Sequence, residues 1–361
     1  MFQTGYILSR RADSVWFLAL PFVAVAAALA CQQWLTAVAM ASVALWVTIP
    51  HHFATWVRAF SHVDDRRRWR ARLIGGPIVI VSLTLAGLVY APITMLLLAI
   101  LWDKQHSLMQ QHGFSRIYDF KAGTGSPSTP KFDLYLHWIL FGNLFLTSPF
   151  FTPMWLRELY RLHLPLSAPG VQQVHLVSWS VTGVYLVVYC LHLLIGVRSG
   201  HRLNPVKYLF IAASYFLWYF TAWHVASVLV FTIASRLMHG IQYIVIAYCF
   251  TQKRIERSGD KESLAARLLG KGKLKLYLAI SLAYALVYQL IIGESLSAFG
   301  FGFLDFSSEY KAVPSLDLAP MSQRGGYELF AALVIECCSL IHFYYDSFIW
   351  KVRDPQTQKG L

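Results

Sequence analysis

The sequence LWDKQHSLMQQHGFSRIY, at residues 101–118, ends an apolar segment and turns polar without losing helical spacing. Asp103, His106 and Gln110 lie at positions i, i+3 and i+7. At about 100° per residue, these positions share one face of a helix. A carboxylate, an imidazole and an amide are costly to bury in a membrane, so this face predicts a functional site.

The composition is that of a protein that crosses a membrane several times. Of the 361 residues, 57% are hydrophobic and 14% are charged, and the mean hydropathy is +0.49. Soluble domains carry about 25% charged residues. The apolar residues form blocks of about 20, the length that crosses a bilayer core. We therefore expect an all-α polytopic membrane protein, with residues 1–361 forming a single integral-membrane domain.

About ten transmembrane helices are predicted from these blocks and from the Gly-, Ser-, Pro- and Lys/Arg-rich links between them. They cover about residues 15–30, 35–60 and 73–90, a fourth helix from 92 into the stretch 101–118, then 132–151 and 174–197, two helices within 208–250, and finally 276–292 and 327–349. We expect the turn within 208–250 to lie near residues 221–227. Gly113 is expected to cap the fourth helix and Tyr118 to anchor its end.

Lysine and arginine concentrate in alternate links between the predicted helices. The chain has 31 Lys and Arg against 18 Asp and Glu, a formal net charge of +13. Cytoplasmic loops carry such an excess, so the pattern places both termini in the cytoplasm and the chain in a bacterial-type inner membrane. The basic charge is assigned to topology and to anionic lipid headgroups, and nucleic acid is excluded as a partner.

The five cysteines lie in or beside apolar segments and lack CxxC spacing. This placement is typical of small buried hydrophobes rather than of disulfides or zinc ligands. No A-x-A-like site follows the N-terminal segment, so no cleavable signal is expected. Without a GxGxxG or CxxC motif, any electrons needed for catalysis would come from a separate donor protein.

Most histidines fall near the inner ends of different predicted helices. His51 and His52 lie in the second helix, His106 in the fourth, His239 in the eighth and His342 in the tenth. Neutral imidazole is the commonest side-chain metal ligand, and ionisable groups within membrane spans mark functional sites. We therefore expect these rings to meet around one or two metal ions.

Two carboxylates share helical faces with these histidines, three residues before His106 and four residues after His342. The predicted metal ligands are His51, His52, Asp103, His106, His112, His137, His239, His342 and Asp346. Arg236, Gln110 and Gln242 are predicted as catalytic or substrate-contacting groups around them. Histidine and carboxylate ligands without thiolate suit iron, manganese or zinc.

This design resembles the histidine-rich integral-membrane metal oxygenases: fatty-acid desaturases, alkane hydroxylases and carotenoid hydroxylases. It is also loosely similar to the bacterial membrane enzymes that cleave carotene. The likeness is one of design, since the boxes HxxxH and HxxHH are absent and His51–His52 is the only doublet. The resemblance implies a di-iron site at cytosolic helix ends and the hydroxylation, desaturation or oxidative cleavage of a lipidic or hydrophobic substrate.

Three other functions fit the same residues. A proton-coupled transporter would use them as a relay and would spread polar groups through the membrane. A haem b protein would hold haem between imidazoles such as His224 and His239, fifteen residues apart. A zinc-dependent membrane hydrolase would use a zinc-bound water.

Overall fold

The computed structural model describes residues 2–258, 264–292, 326–358 and 360–361. Most of the chain in these ranges is helical, and the β-type pairing among them is one isolated bridge between Phe2 and Leu203. The predicted all-α fold is confirmed. Most of the predicted long loop before the last transmembrane helix lies outside the described residues.

Ten long helices and three short ones make up the described chain. They are α1 (Arg10–Trp34, with a π-helical segment at Ser14–Ala19), α2 (Ala37–Phe60), α3 (Val63–Tyr90), α4 (Pro92–Ala122), α5 (Thr129–Thr147), α6 (Thr152–Arg161), α7 (Ala168–Arg198), α8 (Pro205–Tyr219, continued by a π-helical segment at Phe220–Val225), α9 (Val228–Ser258), α10 (Leu264–Leu269), α11 (Leu274–Ile292), α12 (Gly326–Ile349) and α13 (Pro355–Gln358). Each of the ten predicted helices corresponds to one of the long ones.

Two helix boundaries test the boundaries predicted from the sequence. The turn expected at residues 221–227 is confirmed, because Ala226 takes the left-handed φ of +51° just before α9 begins. In contrast, α3 begins at Val63 rather than near residue 73, so most of the basic segment is helical. Asp64 and Asp65 lie in its first turn, where carboxylates stabilise the N-terminal end of a helix.

Gly113 does not cap the fourth helix, so that prediction is wrong. Helix α4 continues to Ala122, and Gly123 follows it with a left-handed φ of +61°. The amide of Thr124 donates to the carbonyl of Asp119 at 3.0 Å, the bond that closes a Schellman cap. A single interior glycine costs about 1 kcal/mol relative to alanine, which the continuing helix tolerates.

The helices have the length and outward faces of membrane spans. Six described helices are long and apolar enough to cross a membrane, or seven if α5 and α6, which bend by 71° at their break, form one span. Ile78 of α3 and Leu176 of α7 are 61% and 69% exposed. Apolar faces of this kind suit lipid tails. The protein is therefore a polytopic membrane protein, and the further predicted spans stay predictions.

The chain forms two compact units, each built from two chain segments. Unit 1 comprises Met1–Cys31 and Leu108–Met238, and unit 2 comprises Gln32–Ser107 and His239–Leu361. In unit 1, α5 packs against α7; in unit 2, α12 packs against α2, α3 and α11. The expectation of a single integral-membrane domain stays a prediction.

Candidate metal centre

Five histidines that are far apart in the sequence meet inside unit 2. His51 and His52 come from α2, His106 from α4, His239 from α9 and His342 from α12. Each residue is at most 5% exposed. Buried imidazoles in an apolar interior are costly, so a cluster of five is a candidate metal centre.

The five rings form a continuous cluster around His342. The centroid of its ring lies 4.6 Å from that of His51 and 4.8 Å from that of His52. It lies 4.7 Å from that of His106. The ring of His239 completes the cluster, 5.0 Å from the rings of both His51 and His106. Several ring nitrogens therefore face one small volume.

A glycine allows two of these helices to approach each other closely. A Cβ atom on Gly240 of α9 would lie 3.3 Å from the carbonyl oxygen of Val47 and 3.7 Å from Cβ of His51, both on α2. Because Gly240 follows His239 directly, the close approach brings the His239 ring to the α2 histidines.

The first group of possible metal ligands is His51, His239 and His342, whose candidate ligand atoms lie within 4.8 Å of one another. The two Nε2 atoms of His51 and His342 are 3.0 Å apart. With metal–nitrogen bonds of about 2.0–2.1 Å, neighbouring ligands of one ion lie about 3 Å apart. The observed separation therefore fits two ligands of one ion.

The second group is His106, His342 and Asp346, again with ligand atoms within 4.8 Å. Nε2 of His106 lies 3.7 Å from Oδ2 of Asp346, and within the described chain it has no hydrogen-bond partner. A bound metal ion would provide a partner for such a buried ring nitrogen. Since both groups include His342, the cluster has room for one ion or for two neighbouring ions.

A hydrogen-bond network fixes the orientation of the His342 ring. Tyr243 Oη donates to Asp346 Oδ1 at 2.6 Å, and Trp350 Nε1 donates to Tyr243 Oη at 2.9 Å. Thr55 Oγ1 lies 2.7 Å from Tyr243 Oη and 3.1 Å from the same carboxylate oxygen, and either oxygen can accept its proton. With its one proton used, Thr55 accepts from Nδ1–H of His342, 2.6 Å away.

This assignment has a direct consequence for metal binding. With Nδ1 of His342 assigned as the donor to Thr55, the lone pair of Nε2 points at the ligand atoms of the cluster. Metal-binding histidines commonly donate their other N–H to a partner that holds the ring in place. Asp346 therefore serves in two ways: Oδ1 anchors the network, and Oδ2 remains directed toward His106.

Four predicted ligands belong to neither of the ligand groups found in the described chain: His52, which packs within the cluster, and Asp103, His112 and His137. The side chain of Asp103 is 33% exposed and pairs with Lys104 Nζ at 2.6 Å. His112 and His137 lie in unit 1 with ring centroids 5.6 Å apart, and Nδ1 of His137 lies 3.0 Å from Tyr215 Oη. The ligand set that we propose below omits all four.

The predicted catalytic or substrate-contacting residues are divided between the units. Gln242 is fully buried in unit 2, three residues after His239. Gln110 and Arg236 belong to unit 1. Their chemical roles stay predictions.

Sequence reasoning missed Thr55, Tyr243 and Trp350, which complete the network around Asp346. A signal for two of them was present: Thr55 lies four residues after His51, and Tyr243 lies four residues after His239. Asp346 has the same spacing from His342. A polar residue four positions after a membrane histidine therefore marks the groups that orient the rings.

Comparison of the chain with protein-family models, with curated proteins and with solved structures found no match.

Proposed function

We propose that this protein is a metal-dependent membrane oxygenase that uses iron, in a di-iron site, to oxidise a lipidic or hydrophobic substrate. The observation that carries the proposal is the meeting of four buried imidazoles and one carboxylate in two ligand groups that share His342. The proposed ligands are His51, His106, His239, His342 and Asp346, with His52 packed beside them.

The donor set favours iron. His106, His342 and Asp346 form a set of two histidines and one carboxylate, the ligand set of non-haem iron oxygenases. Neither ligand group of the described residues contains a thiolate. Iron bound there would supply the binding and activation of O₂, which no side chain can provide.

The residues of the chain would hold the site, orient it and keep it dry. Thr55 would hold Nδ1 of His342 as a donor, so that its Nε2 stays available as a ligand. The ring of Phe343 stacks on His106 with centroids 4.6 Å apart and covers it with an apolar surface. Exclusion of water protects reactive intermediates from side reactions.

The membrane setting defines the partners of the proposed enzyme. A site buried among lipid-facing helices favours a substrate that dissolves in the bilayer, such as a lipid or another hydrophobic small molecule. The electrons that oxygenation requires would come from a separate donor protein. The distribution of basic links favours a bacterial-type inner membrane, with both termini in the cytoplasm.

A zinc-dependent hydrolase is the second candidate, and one observation favours it. His51, His239 and His342 form a three-histidine set, which is also the ligand set of some catalytic zinc sites. A haem protein is less well supported. The rings of His51 and His106 lie 5.0 Å from that of His239, so a porphyrin against His239 would have to displace them.

Metal analysis and an optical spectrum of the purified protein, together with O₂ uptake in a lipid extract, separate these functions. The oxygenase should contain about one to two iron atoms per chain, show no Soret band and consume O₂ when a reductant is supplied. Zinc in place of iron would support the hydrolase. A Soret band, or no bound metal in protein purified without chelators, would contradict the oxygenase.

A further inference from the structure

A cavity of about 520 Å³ lies between α5 and α7 in unit 1 and is partly open on one side. Its volume falls within the range of small-molecule pockets, about 300–1,000 Å³. Most of its walls are aliphatic, with Ile139 and Leu146 on α5 and Val177 and Val181 on α7. The proposed metal ligands lie in unit 2, so the cavity belongs to a different part of the chain.

The buried polar groups that line the cavity use their hydrogen bonds within the protein. Asn143 Nδ2 donates to Ser178 Oγ at 3.2 Å, and Asn143 Oδ1 lies 2.9 Å from Tyr219 Oη. Thr182 Oγ1 donates to the carbonyl of Ser178 on its own helix at 2.8 Å. A polar ligand would have to compete with these bonds, whereas a hydrocarbon chain would leave them intact. The lining therefore favours hydrocarbon.

Gly142 leaves part of the cavity wall without a side chain. It lies in the interior of α5, where glycine costs stability relative to alanine. A Cβ atom at this position would meet no atom of another described helix within 4 Å. The space beside Gly142 can therefore hold part of a ligand, and a larger side chain there would fill it.

One end of the cavity lies beside α6, the short helix that follows α5. Leu146 lines the cavity, and its carbonyl accepts from Thr152 Oγ1 at 3.1 Å. Thr152 Oγ1 also lies 3.3 Å from Nε2 of His175 on α7, so α6 begins between the two helices that form the cavity. Because α6 leaves α5 at an angle of 71°, it lies across the direction of that helix.

The two faces of α6 are those of a helix at a membrane surface. At about 100° per residue, Trp155, Leu156 and Leu159 share one face, and the charged residues of the helix share the opposite face. In the link that follows, Leu162 and Leu164 are 66% and 61% exposed. Amphipathic helices with aromatic and leucine side chains on one face lie at the level of lipid headgroups. This pattern favours lipid headgroups as the neighbours of α6.

The charged face of α6 has one cation more than it has anions. Glu158 Oε1 accepts from Arg157 Nε at 2.9 Å and from Arg161 NH1 at 3.0 Å. Two guanidinium groups on one carboxylate leave a net charge of +1, which suits the phosphate of an anionic lipid. Arg157 lies about 8 Å along the helix from Thr152. The headgroup layer of one leaflet is about 5–8 Å thick, so one lipid can reach both the cavity and Arg157.

We propose that unit 1 binds an anionic phospholipid, with one acyl chain in the cavity between α5 and α7 and the phosphate at Arg157 and Arg161. In a membrane the chain gains no hydrophobic free energy, because lipid tails are as apolar as the cavity walls. A chain in the cavity instead supplies the dispersion contacts that the lining of a void lacks. The phosphate contact selects anionic lipids. This binding does not depend on the proposed oxygenase activity.

Loose contact with ordinary bilayer lipid is the competing explanation. Such lipid would also touch the outward-facing part of α7, where Val184 and Val187 are 65% and 60% exposed. It would not respond to a substitution that fills the cavity, and it would not distinguish one headgroup from another. Variants at Gly142 and Arg157 therefore separate a defined site from loose contact.

The test of the cavity uses the purified full chain in phosphatidylethanolamine vesicles. The probe is a small fraction of phosphatidylglycerol that carries a photoreactive diazirine at the end of one acyl chain. After illumination, fragmentation mass spectrometry measures labelling of the cavity walls, residues 139–146 and 170–182, and of residues 184–195 on the outward-facing part of α7. Gly142→Leu should lower labelling of the cavity walls at least about fivefold, because the leucine fills the space, and leave residues 184–195 unchanged.

Gly183→Leu is the matched control for the cavity. Like Gly142, Gly183 has open space where its Cβ would lie in the described chain, but it lies on α7 outside the lining of the cavity. Labelling of the cavity walls in this variant should stay at the wild-type value.

The phosphate contact is tested by competition and by a charge substitution. Unlabelled phosphatidylglycerol should displace the probe from the cavity walls, whereas diacylglycerol, which lacks the phosphate, should compete severalfold less well. Arg157→Gln should lower labelling severalfold. Arg198→Gln, at the far end of α7, should keep the wild-type value.

Equal labelling of the cavity walls in wild type and Gly142→Leu would overturn the proposal, as would equal competition by phosphatidylglycerol and diacylglycerol. If Gly142→Leu fails to fold, judged by size-exclusion chromatography, the competition and Arg157→Gln decide the matter. Removal of metal with a chelator should leave the labelling unchanged. The outcome is therefore independent of the proposed oxygenase.

Discussion

At the scale of single residues, the hydroxyl group of Thr55 decides which nitrogen of His342 faces the histidine cluster. Thr55→Val keeps the shape of the side chain but removes the acceptor for Nδ1–H of His342 and a donor to Tyr243 or Asp346. We expect the affinity for metal to fall by about 10–100-fold, the usual effect of removing a group that orients a ligand. Competition with a chelator of known affinity measures it.

Thr48→Val is the control for this prediction. Thr48 lies two turns earlier on α2 and donates to the carbonyl of Ala44 at 2.7 Å. Its hydroxyl makes no contribution to the orientation of His342, so the affinity for metal should stay at the wild-type value. Equal losses in the two variants would show that Thr55 does not act through the ring.

At the scale of helices, one spacing of histidine and polar residue occurs four times. A polar residue lies four positions after a cluster histidine in α2, α4, α9 and α12: Thr55, Gln110, Tyr243 and Asp346. Helical periodicity predicts that the two members of each pair share a face. It does not predict which faces meet, because packing between distant helices decides that. The histidines were therefore predictable, while the meeting of Thr55, Tyr243 and Asp346 was not.

Two glycines inside helices give predictions of opposite sign for stability, because Gly240 lies at the contact between α2 and α9 whereas Gly113 of α4 meets open space. Gly240→Ala places a Cβ 3.3 Å from a backbone carbonyl, so we expect a loss of about 1–3 kcal/mol from overpacking and weaker metal binding. Gly113→Ala meets open space inside α4, so we expect a gain of about 0.5–1 kcal/mol.

Thermal unfolding of the two variants in one detergent measures both effects. The midpoint should fall for Gly240→Ala and rise, or stay unchanged, for Gly113→Ala. A Gly240→Ala protein with wild-type midpoint and metal content would show that close approach of the two helices is not needed for the cluster.

At the scale of the whole molecule, the charge pattern predicts the orientation in the membrane. Residue 199 lies in a basic link assigned to the cytoplasm, and residue 164 lies in a link assigned to the opposite side. In a chain whose five cysteines are replaced by alanine, Leu164→Cys should react with a membrane-impermeant maleimide in intact cells. Ser199→Cys should react only after the cells are opened. The reverse labelling would contradict the topology.

The sequence predicts a depth for each histidine in the membrane but does not predict how the histidines are grouped. Basic links and apolar blocks locate a residue along the membrane normal, and by that measure His112 and His137 match His106. The structure assigns them to a different unit, because side-by-side packing of helices is set by contacts distant in sequence. The all-α membrane fold was predictable from local hydropathy, whereas the division of the histidines was not.

The metal content of His342→Ala, compared with wild type and with His192→Ala, tests the central claim most directly. His342 belongs to both ligand groups, whereas His192 stacks on Phe132 in unit 1 with centroids 3.9 Å apart and belongs to neither. We predict stoichiometric metal in wild type and in His192→Ala, and a loss of at least about tenfold in His342→Ala. Full metal content in His342→Ala, or none in wild type, would contradict the proposed centre.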